Sequence, residues 1–109
     1  MAKTDGLQGS LDLLILKLLS RRAPLHGYAL MTGIIESSGE VLRVEEGSLY
    51  PALHRLEEQG WIQAEWITKD NGRRSRVYEL TELGRQQLTV AEERWTAVSA
   101  AIRLVLERA

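Results

Sequence analysis

The chain begins its patterned part at Leu11, where Leu11, Leu13, Leu14, Ile15, Leu16, Leu18 and Leu19 cover nearly the whole circumference of a helix. The six residues before Leu7 are short and polar and read as a frayed end. Ser10 is placed to cap this first helix, and Asp12 falls in its first turn, where the helix dipole favours a negative charge. A helix spanning about residues 10–20 follows. Surface helices carry a narrower apolar stripe, so this one is expected to be covered on two sides, the second by a partner chain. Pro24 breaks the chain, and a second helix is expected from Leu25 or His26 to Ser37, stopped by Gly39. Residues 40–44 are either extended or loop.

The third helix is predicted from Gly47 to Gln59. Leu49, Ala52, Leu53 and Leu56 recur on one face at helical period, while Gly47, Pro51, His54, Arg55 and Glu58 fall on the other. Pro51 is acceptable only near the first turn, where its missing N–H is not needed. Gly60 is a natural stop. Trp61–Thr68 reads as a strand, Lys69–Gly72 as a turn built on Asn71-Gly72, and Arg76–Leu80 as the returning strand. Thr81 caps a last helix that runs to about Glu107, with Glu82 in its first turn. Helix, helix, helix, hairpin, long helix is a mainly α winged helix-turn-helix arrangement. Residues 1–80 form its winged domain and residues 81–109 a C-terminal dimerisation helix.

Leu88, Ala91, Trp95, Val98, Ile102 and Val105 are spaced three and four apart along that last helix, a heptad seam widened by Leu106. This seam and the all-round apolar first helix are explained together by a two-fold homodimer. Its interface would be drawn from Leu11, Leu14, Ile15 and Leu18 on one helix and from the seam on the other. The alternative is a last helix folded back on its own domain. Trp95, in mid-seam, is either packing or the wall of a cavity between protomers that admits a flat aromatic effector.

Composition narrows the chemistry. The chain has 109 residues, 44% hydrophobic and 27% charged, which suits one globular domain. It contains no apolar run long enough to span a membrane and no signal-peptide pattern. The absence of cysteine excludes disulfides, thiolate metal sites and a cysteine nucleophile, and fits a cytoplasmic location. His26 and His54, the only histidines, are not at metal spacing, and His26, at a helix start, reads as structural. Glu45, Glu46, Glu57 and Glu58 read as surface acids with no apolar pocket to raise a pKa. With no nucleophile triad and no phosphate-binding loop, neither an enzyme nor a cofactor is expected.

A net charge of -1 argues against nonspecific coating of nucleic acid, but the charge is unevenly spread. Residues 36–46 hold four acids and one Arg, whereas residues 69–76 hold four bases and one acid. Short or hydrogen-bonding groups at the start of the third helix (Gly47, Ser48, Tyr50, Pro51, His54 and Arg55) suit a helix entering the major groove. Ser48 and the first-turn N–H groups would hold a phosphate. The same face also fits an ordinary surface helix. Lys69, Arg73, Arg74 and Arg76 form a basic hairpin tip suited to phosphate or minor-groove contact. Sequence-specific binding of double-stranded DNA is thus expected, with a winged-helix module that binds protein instead of DNA as the alternative.

Several of these stretches resemble the PadR family of transcriptional regulators. They are His26-Gly27-Tyr28, the block Gly47–Glu57, Gly60, the Arg-rich wing leading to Tyr78, Leu80-Thr81-Glu82-Leu83-Gly84, and the openings Gly9–Asp12 and Leu14-Ile15-Leu16. The resemblance runs from about Leu7 to Trp95, and its specific part is the Gly47–Glu57 block. It implies a repressor that dimerises through its first and last helices, and the single last helix is similar to the family's shorter branch. Carried over by position, Tyr28, Ser48, Tyr50, Pro51 and His54 would approach DNA from the helices, and Arg73, Arg74 and Arg76 from the wing. Trp95 matches an aromatic that lines a ligand pore at the dimer centre in some members, many of which respond to phenolic or other toxic small molecules. Val77 and Glu79 depart from the pattern, because many members are basic there, and they weaken the wing's positive field.

Overall fold

The computed structural model describes residues 4–109. Its elements are α1 (Thr4–Arg22), β1 (Leu25–His26), α2 (Gly27–Ser37), α3 (Glu46–Glu58), β2 (Ile62–Thr68), β3 (Arg74–Leu80) and α4 (Glu82–Arg108). The helix–helix–helix–hairpin–helix order is as expected, but several boundaries move. α1 opens at Thr4, so Ser10 lies within it and caps nothing, and only residues 1–3 of the expected frayed end lie outside the described residues. No helix among the described residues is long and apolar enough to cross a membrane.

The all-round apolarity of α1 has an internal cause. The helix runs through the middle of the protomer, with α2, α3, β3 and α4 packed around it. Leu11, Ile15, Leu16, Leu18 and Leu19 are buried there, and Leu13 and Leu14 are partly buried against the same core. The expectation that a partner chain covers its second side is therefore corrected: Leu11, Ile15 and Leu18 meet their own protomer. From α3 the core receives Leu49, Ala52, Leu53 and Leu56, the predicted face, and Leu88 joins it from the first half of α4.

A third strand was not expected. Leu25 and His26 pair antiparallel with Tyr78 and Val77, placing β1 beside β3 in a sheet of order β1-β3-β2. α2 accordingly starts at Gly27. His26 is its N-cap, with Nδ1 accepting from the Ala29 N–H at 3.3 Å, in keeping with a structural histidine. Between α2 and α3 the chain is loop, with Gly39 and Glu40 at positive φ.

β2 and β3 pair from Ile62↔Leu80 to Thr68↔Arg74, so the returning strand begins at Arg74, two residues earlier than expected. The connection is not a two-residue turn with both central residues at positive φ. The Gly72 N–H donates to the Lys69 carbonyl and the Lys69 N–H to the Arg73 carbonyl, and only Gly72 has positive φ (82°). This is a three-residue loop, a type I turn followed by a left-handed glycine. α4 starts as predicted: the Thr81 hydroxyl accepts from the Gly84 N–H at 3.0 Å and donates to the Gly60 carbonyl at 2.7 Å. A Cβ on Gly84 would collide with the Trp61 carbonyl, so glycine lets the start of α4 press against the α3–β2 junction.

Candidate nucleic-acid interface

Burial of the Leu49, Ala52, Leu53 and Leu56 face leaves Gly47, Ser48, Tyr50, Pro51 and His54 exposed on the opposite side of α3. Tyr28, 61% exposed at the start of α2, belongs to the same region, because α2 abuts α3 where Gly27 meets the Tyr50 ring. A Cβ on Gly27 would lie 2.8 Å from the Tyr50 hydroxyl, so the His-Gly-Tyr stretch is a seat for an aromatic of the third helix. Pro51 sits in the second turn of α3 rather than the first. Its missing N–H leaves the Gly47 carbonyl without its i+4 helical donor.

The start of α3 is a poorer phosphate cradle than the residue types suggested. Glu45 is the N-cap and makes no side-chain capping bond; its carbonyl accepts from Ser48 N–H (3.0 Å) and Leu49 N–H (2.9 Å). First-turn donors are thus reduced to the Glu46 and Gly47 N–H groups and the Ser48 hydroxyl. The carboxylates of Glu45 and Glu46 also stand at the positive end of the helix dipole, where a phosphate would sit.

Arg55 departs from the exposed set. Its guanidinium turns towards α1 and pairs with Asp12 at 2.9 Å, both side chains being about one-third exposed or less. Burial pushes the Asp12 carboxyl above its ordinary range, outweighing the opposing pull of Arg55. The pair fastens α3 to α1, which explains the acid in α1 and removes Arg55 from the free face. His54 is exposed and lies 3.2 Å from Glu58.

On the wing, Trp66, Arg74, Arg76 and Tyr78 share one face of the hairpin. Arg74 lies over the Trp66 ring with its Cζ 4.8 Å from the centroid, and Arg76 lies 5.8 Å from the Tyr78 centroid. Arg76 also pairs with Glu57 of α3 at 2.6 Å, which ties the wing to that helix. Tyr78 is the root of this ladder. Burial raises its phenol pKa, Arg76 pulls it back, and Glu57 and Tyr50 push it up. Lys69, Arg73 and Arg74 make no ion pair among the described residues. In sequence Trp66, Glu57 and Asp12 show only a strand former, a surface acid and a first-turn acid. Only the strand register and the packing of α3 on α1 reveal their partners.

The other expected surfaces separate cleanly. Leu88 is buried in its own core and Ala91 is partly covered. Trp95, Val98, Ile102 and Val105 are 51, 41, 53 and 62% exposed, a bare apolar stripe along the outer half of α4. Trp95 also lines a groove of about 470 Å³ between α1 and α4, within one protomer, whose other walls include Leu13, Leu16, Trp61 and Val98 together with Asp12 and Arg94. Two indoles thus face one cleft.

Residues 15–90 match the model of the transcriptional regulator PadR-like family, about 70% of the chain. A transcriptional regulator of Mycobacterium tuberculosis is 48% identical over 54 residues, half of each chain. A PadR-like transcriptional regulator from Bacillus cereus superposes with a TM-score of 0.79 at 28% identity, covering 96% of this chain and 99% of that one. A PadR-family regulator from Eggerthella lenta gives a TM-score of 0.80 at 29% identity, covering 97% and 90%.

Proposed function

Because this chain belongs to the PadR-like family of transcriptional regulators, we propose that it is a homodimeric repressor that reads an inverted-repeat operator and releases it when a small aromatic or phenolic effector binds. It is a regulator of transcription, not an enzyme. The reading is carried by one juxtaposition: the exposed Tyr28, Ser48, Tyr50, Pro51 and His54 lie beside a wing whose Lys69, Arg73 and Arg74 have no carboxylate partner among the described residues. Polar and apolar groups on a helix face read base edges, and unpaired guanidinium groups hold phosphates and fix register.

The bare stripe of Trp95, Val98, Ile102 and Val105 supports dimerisation through α4, with residues 1–80 as the reading unit and residues 81–109 as the element that joins two of them. Dimerisation doubles the basic edge of a chain whose net charge is only -1. It also sets two readers about one helical turn of DNA apart. The α1–α4 groove supports an effector that stacks on Trp95.

Selection of duplexes from a random-sequence pool by the purified protein tests this. Enrichment of two inverted half-sites with centres about 10 base pairs apart is expected. No enrichment over random duplex would reject the operator and favour a protein-binding module. For the effector, planar phenolic compounds should quench tryptophan fluorescence. Trp95→Phe should reduce that change to the part carried by Trp61, which lines the same cleft, and Trp66, outside it, should contribute nothing.

A further inference from the structure

The wing carries three arginines within four positions, and the fold treats them unequally. Strand register sets Trp66 directly opposite Arg76 and diagonal to Arg74, so one indole lies within reach of both guanidinium groups. Arg74 stacks closely, at 4.8 Å from the ring centroid, and Arg76 stands off at 5.9 Å. Among the described residues, Arg76 alone of the three has a carboxylate, Glu57 at 2.6 Å, and Glu57 projects from the same helix as Pro51 and His54.

These differences have opposite consequences for a phosphate. For Arg76 to reach the nucleic acid backbone it must leave Glu57, which would then be an unpaired carboxylate beside a polyanion. Arg74 has no such competitor among the described residues. A free arginine at a hairpin tip also loses much rotamer freedom when a ligand fixes it, and the Trp66 ring reduces that loss by holding the guanidinium beforehand. Stacking engages the flat face of the guanidinium and leaves its in-plane N–H donors unused, the geometry that phosphate requires. Trp66 itself is 55% exposed, too open for a core residue of its size.

We infer that Trp66 is a positioning residue that presents Arg74 to the DNA backbone beside α3, while Glu57 withholds Arg76 from it. The inference rests on the DNA-binding reading above. It divides the wing's charge: Arg74 contacts phosphate, and Arg76 is a strut between wing and reader.

The test measures affinity and its salt dependence on the duplex that the wild-type protein enriches from a random-sequence pool. Each phosphate neutralised contributes a slope of about 0.9 in log affinity against log salt. Arg74→Ala should flatten the slope by about that amount per wing, Arg76→Ala should leave it unchanged, and Glu57→Gln should steepen it by releasing Arg76. Trp66→Ala should weaken binding about two- to fivefold, the strength of an exposed cation–π contact, and Trp66→Phe should restore it. In an Arg74→Ala background, Trp66→Ala should change nothing further, a coupling that general loosening of the wing would not produce. Additive losses in that double variant, or an Arg76→Ala slope as flat as that of Arg74→Ala, overturn the inference and leave DNA binding standing. If the wild-type protein enriches no duplex, the DNA reading fails and the inference falls with it.

Discussion

Ile15, Leu16 and Leu19 of α1 are at most 1% exposed, while Val98, Ile102 and Val105 of α4 are 41–62% exposed, although both helices are rich in branched aliphatic residues. The difference lies in their neighbours. α1 is enclosed by three helices and a strand of its own protomer, so apolar residues on every side reflect a central position. α4 is anchored over its first half, by Gly84 against the Trp61 carbonyl, Leu88 in the core and Glu92 paired with Lys17 of α1 at 2.9 Å, and its outer half is exposed. All-round apolarity thus marks a helix at the middle of its own fold. A one-sided stripe that outlasts the core marks a surface meant for another molecule.

The sharpest way to break this contrast is to truncate the two helices in turn. Ile15→Ala, at a position with no exposure, should cost about 2–5 kcal/mol in urea unfolding, the range for a large-to-small change in a tight core. A loss below about 1 kcal/mol would mean that α1 is not the centre of the protomer. Gly84→Ala probes the anchored part of α4. The new methyl meets backbone rather than a movable side chain, so the helix start must shift, at a cost of about 1–3 kcal/mol. By contrast, the Cβ of Gly27→Ala would meet the half-exposed Tyr50 ring, which can swing aside.

The bare half of α4 should respond differently. Ile102 is 53% exposed in the protomer, so burying what remains in a dimer contributes roughly 1 kcal/mol per subunit. In the proposed two-fold dimer Ile102→Ala counts twice. Sedimentation over a concentration series should therefore show association weakened about 30-fold with little change in the secondary structure of the winged domain. Unchanged association would exclude the outer stripe as the contact surface and assign it to some other partner.

The contrast also explains what could be read from the chain and what could not. Periodicity exposed the core face of α3 and the seam of α4, because both are local patterns of three and four. It could not tell Ile15 as protomer core from Ile15 as dimer interface, since only the positions of the surrounding elements decide that. Leu25–His26 was invisible as a strand because two residues carry no alternation, and their pairing depends on Tyr78 and Val77, about fifty residues later. The hairpin was legible in place but not in type: Asn71-Gly72 fits two turn geometries, and the length of the ladder chose between them. Arg55 and Arg76 looked alike in sequence as free cations on the expected DNA-facing elements. Asp12 and Glu57, distant along the chain, turn each into a tie between elements.

The smallest effect is at Asp12, where the enclosure of α1 meets a charge. An ion pair at 2.9 Å would ordinarily hold a carboxyl below its usual range, so that acid destabilises the fold. Here burial outweighs Arg55 and the carboxyl lies above that range. The folded chain then keeps the Asp12 proton at pH values where the unfolded chain has lost it, and it binds more protons in that interval. Stability at this site should rise as pH falls from the raised value towards the ordinary aspartate value, and above that window the cost of the buried charge is present in full. Asp12→Asn retains an acceptor for Arg55 but cannot ionise, so the difference in urea midpoint between wild type and variant isolates the site. That difference should favour the variant at neutral pH and shrink on acidification. A difference that favours the wild type at neutral pH would mean that the guanidinium wins over burial, and that α1 is less thoroughly enclosed near its start than at Ile15.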